Sequence, residues 1–156
     1  MNWIILKVAP RKEAYVARQI QNMGYSAWVP CQLMPVRPHA SRKVTAKAHL
    51  AKIREIALLP RRVFVEMPRN SLPDALYGNL AAARYLTGLE HGTASRALLM
   101  PSEQVARFKA AIDAENTAAL ALASKPNRGQ KARWKSLRDG LLDAILDAKE
   151  ELEMAA

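Results

Sequence analysis

Basic residues are the side chains of this sequence best suited to chemistry, because many of them fall in one part of the chain. Residues 37–69 hold nine lysines and arginines but only two acids, Glu55 and Glu66. The whole chain has a formal net charge of +10 and a pI near 10.1. A concentrated positive charge favours an anionic polymer as partner, most often nucleic acid. The alternative is a basic surface that only keeps the protein soluble.

We predict that the first part of this basic stretch contacts DNA or RNA through phosphates. The predicted nucleic-acid-binding residues are Arg37, Arg42, Lys43, Lys47, Lys52 and Arg54. They belong to a segment, residues 32–57, that begins with Pro35 and Pro38 and then becomes basic and rich in alanine. This composition favours an extended loop, with a partial helix over Lys47 to Glu55.

The other reactive side chains do not form a recognisable catalytic or metal-binding group. Cys31 is the only cysteine, and His39, His49 and His91 lack zinc-ligand spacing with it or with each other. Cys31 follows Pro30 at a predicted strand end, where a lone cysteine is typical of a small buried residue. We therefore predict no catalytic residue, no metal and no cofactor, and an active site assembled from distant residues is the alternative.

The same residues bear on where the protein acts. A single cysteine cannot form an intrachain disulfide, which is typical of a reducing compartment. The chain does not start with a signal-peptide pattern, and no apolar stretch approaches the ~20 residues that span a bilayer. We predict a cytoplasmic protein with no membrane partner.

Apolar runs predict the strands that position these residues. Trp3 to Val8 is a nearly continuous apolar run, typical of a strand at the centre of a sheet. Pro10 can begin the following helix, and Gly24 is placed to cap it. The apolar face of that helix carries Ala14, Ala17, Ile20 and Met23. Further extended segments are predicted over residues 25–31, 59–67, 83–89 and 96–100, with a short helix over residues 74–80.

The C-terminal part of the chain has a helical period. A helix is predicted from Ser102, as its N-cap, to Ala123, and residues 125–129 form a break. A last helix follows over about Gln130 to Leu152. Its apolar stripe consists of Trp134, Leu137, Leu141, Ile145, Ala148 and Leu152.

The charges of this last helix are segregated against its dipole. Its first half carries Lys131, Arg133, Lys135 and Arg138. Its second half carries Asp143, Asp147, Glu150, Glu151 and Glu153. Both halves oppose the helix dipole, at a cost of a few tenths of a kcal/mol per charge. Packing of the apolar stripe must therefore supply most of the stability of the helix.

The order of the elements predicts an α+β fold with an antiparallel sheet. We divide the chain into a domain over residues 1–112 and a helical hairpin tail over residues 113–156, hinged near residues 126–129.

Several motifs of the first domain resemble one known family. The chain begins with the Trp-led strand Trp3-Ile4-Ile5-Leu6, and Glu13 stands in the first helix. A strand ends at Val29-Pro30. The central segment is Leu58-Leu59-Pro60-Arg61-Arg62-Val63-Phe64-Val65-Glu66-Met67, and Pro101-Ser102-Glu103-Gln104-Val105 begins a helix. In order and spacing, these motifs resemble the N-terminal domain of the NusG family of transcription elongation factors.

The resemblance covers about residues 2–112 and implies a fold, a partner and a set of contact residues. In that family the domain is an antiparallel sheet flanked by helices, in a ferredoxin-like arrangement. It binds the clamp-helix coiled coil of the largest catalytic subunit of RNA polymerase through an apolar pocket. It also lies near the upstream fork and the non-template strand. The implied polymerase-binding residues here are Trp3, Leu58, Leu59, Pro60, Arg61 and Arg62.

The chain also departs from the family pattern. The family commonly has aromatic residues at the positions of Leu58 and Leu59, and Gly-Tyr or Asn-Tyr at Arg61-Arg62. The family's C-terminal KOW β-barrel is not recognisable in residues 113–156, which have a helical period. In the related factor RfaH a helical hairpin masks the polymerase site, and the tail here is similar to it only in being helical.

The resemblance predicts a transcription elongation or antitermination factor that binds RNA polymerase, modulates pausing or termination, and does no covalent chemistry. The alternative function is a stand-alone nucleic-acid-binding protein without polymerase contact. The apolar stripe of the tail has three alternative partners: the flank of the first domain, the polymerase-binding pocket or a second copy of the chain.

Overall fold

The computed structural model describes residues 2–36, 52–67, 84–91, 97–122 and 126–154. The strands of this described part are β1 (Asn2–Val8), β2 (Ala27–Trp28), β3 (Cys31–Val36), β4 (Lys52–Ala57), β5 (Arg62–Met67), β6 (Leu86–Leu89) and β7 (Met100–Pro101). Its helices are α1 (Glu13–Asn22), α2 (Ser102–Leu122) and α3 (Arg128–Met154). The predicted α+β class with antiparallel sheets and a C-terminal helix is confirmed.

Strand β1 is the centre of the main sheet. It pairs antiparallel with β5 along nearly its whole length, from Asn2 opposite Met67 to Lys7 opposite Arg62. Strand β2 extends the sheet beyond β5, while β6 and β7 pair with successive parts of the other edge of β1. The continuous apolar run predicted a strand covered on both faces, and the burial of Trp3 through Leu6 confirms it.

Alternate residues of β1 enter two different cores, because successive side chains of a strand point to opposite faces. Ile4, Leu6 and Val8 pack with the apolar face of α1, which buries Val16, Ala17 and Ile20. Trp3 and Ile5 face the other way, in a cluster with Phe64 and with residues of α2 and α3. The sheet therefore lies between α1 on one face and the two C-terminal helices on the other.

Helix α1 ends as its sequence predicts but begins later. Gly24 has a left-handed backbone, with φ 91°. The amide of Gly24 donates to the carbonyl of Gln21, and the amide of Tyr25 donates to that of Ile20, which together form a Schellman cap. The helix starts at Glu13 and not at Pro10, because Pro10 forms a turn with Arg11, whose φ is 64°.

The loop and partial helix predicted over residues 32–57 are wrong where the structure describes them. Strands β3 and β4 form a two-stranded antiparallel hairpin, from Cys31 opposite Ala57 to Val36 opposite Lys52. The residues between the two strands, like the helix predicted over 74–80, lie outside the described part of the chain. The composition of the segment did not indicate the pairing of β3 with β4, because that hairpin is held by contacts from a distant helix.

That distant contact is the side chain of Asn116 in α2. Its amide oxygen accepts the Leu33 backbone N–H at 2.8 Å, and its amide nitrogen donates to the Cys31 carbonyl at 2.9 Å. Asn116 thus satisfies two polar groups on the edge of β3 that is not paired with β4. Because unpaired strand edges are unfavourable when buried, this amide attaches the hairpin to α2.

The two C-terminal helices follow the predicted pattern closely. Helix α3 begins two residues before the predicted start because Asn127 and Gln130 form a reciprocal capping box. Asn127 accepts the Gln130 backbone N–H at 2.9 Å, and the Gln130 side chain accepts the Asn127 N–H at 2.8 Å. An ion pair of 2.9 Å between Arg133 and Glu115 joins α3 to α2. The division at residue 113 stays a prediction, and α2 is continuous through it.

We expect Asn116→Leu to destabilise the protein by about 2 kcal/mol or more, because it leaves the Leu33 N–H and the Cys31 carbonyl without partners. Urea denaturation measures the loss, and faster hydrogen exchange at Leu33 locates it. Thr117→Ala is the matched control, since it removes an exposed hydrogen bond to the Asp113 carbonyl from the neighbouring position. Equal effects of the two substitutions would contradict the role given to Asn116.

Candidate functional site

The structure brings three of the predicted polymerase-binding residues into one apolar patch. Trp3 comes from the start of β1, while Leu58 and Leu59 come from the bend between β4 and β5. The Leu58 amide donates to the Pro30 carbonyl at 2.8 Å and holds that bend in place. We call Trp3, Leu58 and Leu59 the apolar patch.

The apolar patch lies in the core that α2 and α3 share. Trp3, Leu58 and Leu59 are only 6%, 7% and 1% exposed. Their core cluster contains Val105 and Ile112 of α2 together with four residues of α3: Trp134, Leu141, Ala144 and Ile145. Leu137, Ala148 and Leu152 pack against the same cluster, so the whole predicted stripe of α3 faces the domain. The apolar stripe had three alternative partners. In the structure it packs on the face of the first domain that carries the predicted docking residues.

The other predicted docking residues follow Leu59 in the chain but lie outside the core cluster that holds the patch. Pro60 and Arg61 are exposed, and Arg62 is partly buried. Arg61 has a φ of 67°, a left-handed conformation that costs an ordinary L-residue roughly 1–2 kcal/mol. Its backbone N–H donates to the Glu13 carboxylate at 2.7 Å, and its side-chain Nε donates to the Val8 carbonyl at 3.1 Å.

This turn gives a physical reason for two family motifs. Glycine and asparagine, which the family commonly has at the position of Arg61, are the residues that adopt positive φ most easily. Glu13 accepts the amide of the left-handed residue, so the helix glutamate of the family motif acts on the turn before β5. In this chain Arg61 adopts positive φ and adds a charge.

Glu90 is a site residue that sequence reasoning missed. It is 2% exposed and accepts from Arg62 at 3.0 Å and from Lys149 at 2.8 Å, while Lys7 lies at 3.9 Å. Lys7 and Arg62 belong to β1 and β5, whereas Lys149 belongs to α3. No spacing in the sequence could have indicated this group, because its members come from four separate parts of the chain. Glu90 therefore fastens the second half of α3 to the sheet.

The ionisation of Glu90 depends on these cations. Burial alone would raise the pKa of Glu90, but hydrogen bonds from Lys149 and Arg62 outweigh it and hold the pKa below its ordinary value of 4.5. Glu90 is thus charged at neutral pH, and its charge stabilises the folded state with α3 in place.

A second surface feature is an open cleft of about 520 Å³ between the start of α1 and the β3–β4 hairpin. Its lining includes Arg11, Arg54 and Arg61 together with Glu13 and Glu55. Of the six predicted nucleic-acid-binding residues, Arg54 is the one whose side chain is described, and it is exposed at this cleft. Lys52 belongs to β4, and the other four lie outside the described residues.

Cys31 also borders the cleft. Burial raises its pKa to about 11, with further contributions from Glu55 and Glu13. A thiol with this pKa stays protonated near neutral pH and is a poor nucleophile. Within the described ranges, no group of three His, Cys, Asp or Glu side chains has the geometry to hold a metal ion.

The chain belongs to the NusG family. The family's sequence model, described as transcription termination factor NusG, matches residues 1–109. No curated protein sequence gives a significant match to the chain. The protein is therefore a transcription factor of the NusG type, a family of regulators and not of enzymes. Among the described helices, none has the length and apolar character to cross a membrane.

The left-handed turn can be tested with two substitutions at Arg61. Alanine and glycine both remove the guanidinium, so their difference reports on the backbone alone. We expect Arg61→Gly to be more stable than Arg61→Ala by about 1 kcal/mol, because glycine adopts positive φ without strain. At Arg107, an exposed position of α2, the order should reverse by about the same amount. Urea midpoints of the four variants measure both differences, and the same order at both positions would contradict the strain assigned to the Arg61 backbone.

The charge of Glu90 can be tested by pH. Because its folded pKa is depressed, its contribution is present above pH 4.5 and is lost as pH falls through the folded pKa. We expect Glu90→Gln to be less stable than the wild type at pH 7, with the difference shrinking as pH falls below 4.5. Urea denaturation across that range measures it. Glu151→Gln, an exposed carboxylate of α3, should change the stability at pH 7 by less than about 0.5 kcal/mol.

Proposed function

We propose that this protein binds RNA polymerase through the apolar patch and modulates pausing or termination, and that α3 masks the patch until polymerase binds. The proposed partner is the clamp-helix coiled coil of the largest catalytic subunit. Membership of the NusG family supports a polymerase partner. The single observation that carries the masking is the burial of Trp3, Leu58 and Leu59 in a core to which α3 contributes Trp134, Leu141 and Ile145.

Docking and masking compete for the same side chains. Leu59 is 1% exposed in the core that α2 and α3 share, so a coiled coil cannot contact it in this arrangement. Polymerase must therefore select or induce a state in which α3 has moved away. If only a fraction of molecules is in that open state, the apparent affinity is reduced by the same fraction.

Two features of α3 suit it to this role. Its charges oppose its dipole at both ends, so its stability depends on packing against the domain and not on the helix itself. Its contacts with the domain are also of two separate kinds. The apolar stripe of Trp134, Leu141 and Ile145 packs along the helix. Lys149 makes a polar contact with Glu90. An element held by tertiary contacts alone can leave without unfolding the strands beneath it.

A pair of leucines in α3 allows a controlled test of the mask. Leu141 is fully buried in the cluster, whereas Leu146 is 56% exposed on the same helix. Leu141→Ala should weaken the packing of α3 by about 2–5 kcal/mol. We expect it to raise the affinity for purified RNA polymerase, measured by biolayer interferometry, by tenfold or more. Leu146→Ala removes the same atoms and should leave the affinity unchanged.

Two outcomes and a second experiment separate a masking role of α3 from a structural role. A Leu141→Ala protein that melts earlier but binds polymerase no better would show that α3 is a structural part of the core. A chain truncated after Ala123 provides a second route to the open state and should also bind more tightly. If no form binds polymerase, including a form with the patch open, the docking proposal fails and the stand-alone nucleic-acid-binding function is favoured.

A further inference from the structure

We infer that a groove between β3 and the first half of α3 binds the phosphate backbone of a nucleic-acid strand. One wall of this groove is formed by Gln32 and Met34 of β3, and its floor includes Leu58 and Trp134. The other wall carries the cations of α3, which are Lys131, Lys135 and Arg138. We call this the basic groove. Its cations lie outside the residues that match the family, because all three belong to α3.

The cations of the basic groove form a continuous row. Lys131, Lys135 and Arg138 recur at spacings of four and three, which places them on one face of the helix. Seven residues of helix span about 10 Å. This length corresponds to roughly three nucleotides at the ~3.4 Å rise of a duplex strand. The row is therefore long enough to contact more than one phosphate.

The charge of the row is available to a partner. All three side chains are exposed. Among the described residues, Lys131 and Lys135 have no carboxylate within ion-pair distance, and Arg138 has one 3.6 Å contact with the half-exposed Asp139. By contrast, Arg133 on another face of the helix is paired with Glu115 at 2.9 Å. The described residues that line the groove include no acid.

The position of these cations is unfavourable for the helix itself. Basic residues near the N-terminus of a helix oppose its dipole, and the effect is largest in the first turn. Neighbouring Arg133 has a partner in α2, but Lys131 and Lys135 gain no such compensation among the described residues. A bound polyanion would compensate the charge of these lysines. We therefore attribute the charge to binding in the groove and not to the stability of the fold.

The size of the groove indicates what lies in it. Its volume of about 210 Å³ is below the ~300–1,000 Å³ of typical small-molecule sites. Trp134 is 4% exposed and so cannot serve as a platform for stacking a base. The groove thus suits a sugar-phosphate backbone passing across it, recognised by charge and not by sequence. Its wall β3 also leads, in the sequence, directly into the basic segment that starts at Arg37.

Nucleic-acid binding in the basic groove does not require polymerase docking, but the two events are linked through α3. The groove exists only while α3 lies on the domain, because α3 is one of its walls. A strand bound there would stabilise the masked state, and by reciprocity polymerase that displaces α3 would release the strand. Binding to nucleic acid alone can be measured without polymerase, so either proposal can fail separately.

The test is fluorescence anisotropy with labelled 20-nucleotide DNA and RNA single strands and a 20-base-pair duplex, over a series of salt concentrations. The full chain should bind at least one of these probes. The variant with Lys131, Lys135 and Arg138 changed to alanine should lower the slope of log affinity against log salt, by roughly 2 on a single strand at ~0.7 per lost contact. The control changes Arg18, Arg84 and Arg107 to alanine, which are exposed outside the groove, and removes the same net charge. Its slope should stay close to the wild-type slope.

A further variant tests the groove against the helix alone. Gln32→Glu places one carboxylate on the β3 wall without changing the size of the side chain. We expect it to weaken binding roughly two- to fivefold at low salt, the effect of one exposed charge pair. Equal slopes for the two triple variants, no effect of Gln32→Glu, or failure of the wild type to bind any probe would each overturn the inference. Circular dichroism should show that every variant remains folded.

Discussion

Burial of Trp3, Leu58 and Leu59 in the core shared with α2 and α3 is the interaction on which the rest of the structure depends. Exposing a single buried leucine costs about 1.5–3 kcal/mol, so the apolar patch requires a cover whenever no partner is bound. Helix α3 supplies part of that cover with its apolar stripe, and it depends on the patch in turn, because its own charges work against an isolated helix. The sheet face and the helix are each incomplete without the other.

Polar contacts determine the position of α3 on the domain. Glu90 joins Lys149 of α3 to the sheet, the capping box of Asn127 and Gln130 begins the helix, and Arg133 joins it to α2. Helix α2 in turn holds the β3–β4 hairpin through Asn116. Movement of α3 would therefore break a small number of specific polar contacts and one apolar interface, while the hairpin and the central sheet keep their own attachments. This division suits a factor that alternates between a masked and an open state.

The two proposed contacts, with nucleic acid and with polymerase, use different surfaces of the molecule. The apolar patch lies in the core shared with α2 and α3, whereas the basic groove is formed between α3 and β3. Since the groove requires the closed arrangement and docking requires the open one, the two proposed activities are opposed through one helix. In free-energy terms, α3 is the element whose position both partners would bias.

The sequence alone determined the elements whose signals are local. The sequence predicted strand β1 from its apolar run, helix α1 with Gly24 as its cap, and the stripe of α3. These signals are local because strand and helix periods depend on neighbouring residues. The ordered motifs likewise identified the NusG family. Tertiary structure decided the rest: the pairing of β3 with β4, which Asn116 attaches to α2 from more than 80 residues away, and the partners of Glu90. It also decided that the stripe of α3 packs into the core that holds the patch. A stripe in the sequence shows that a helix must bury one face, but the surface that it covers depends on contacts between distant parts of the chain.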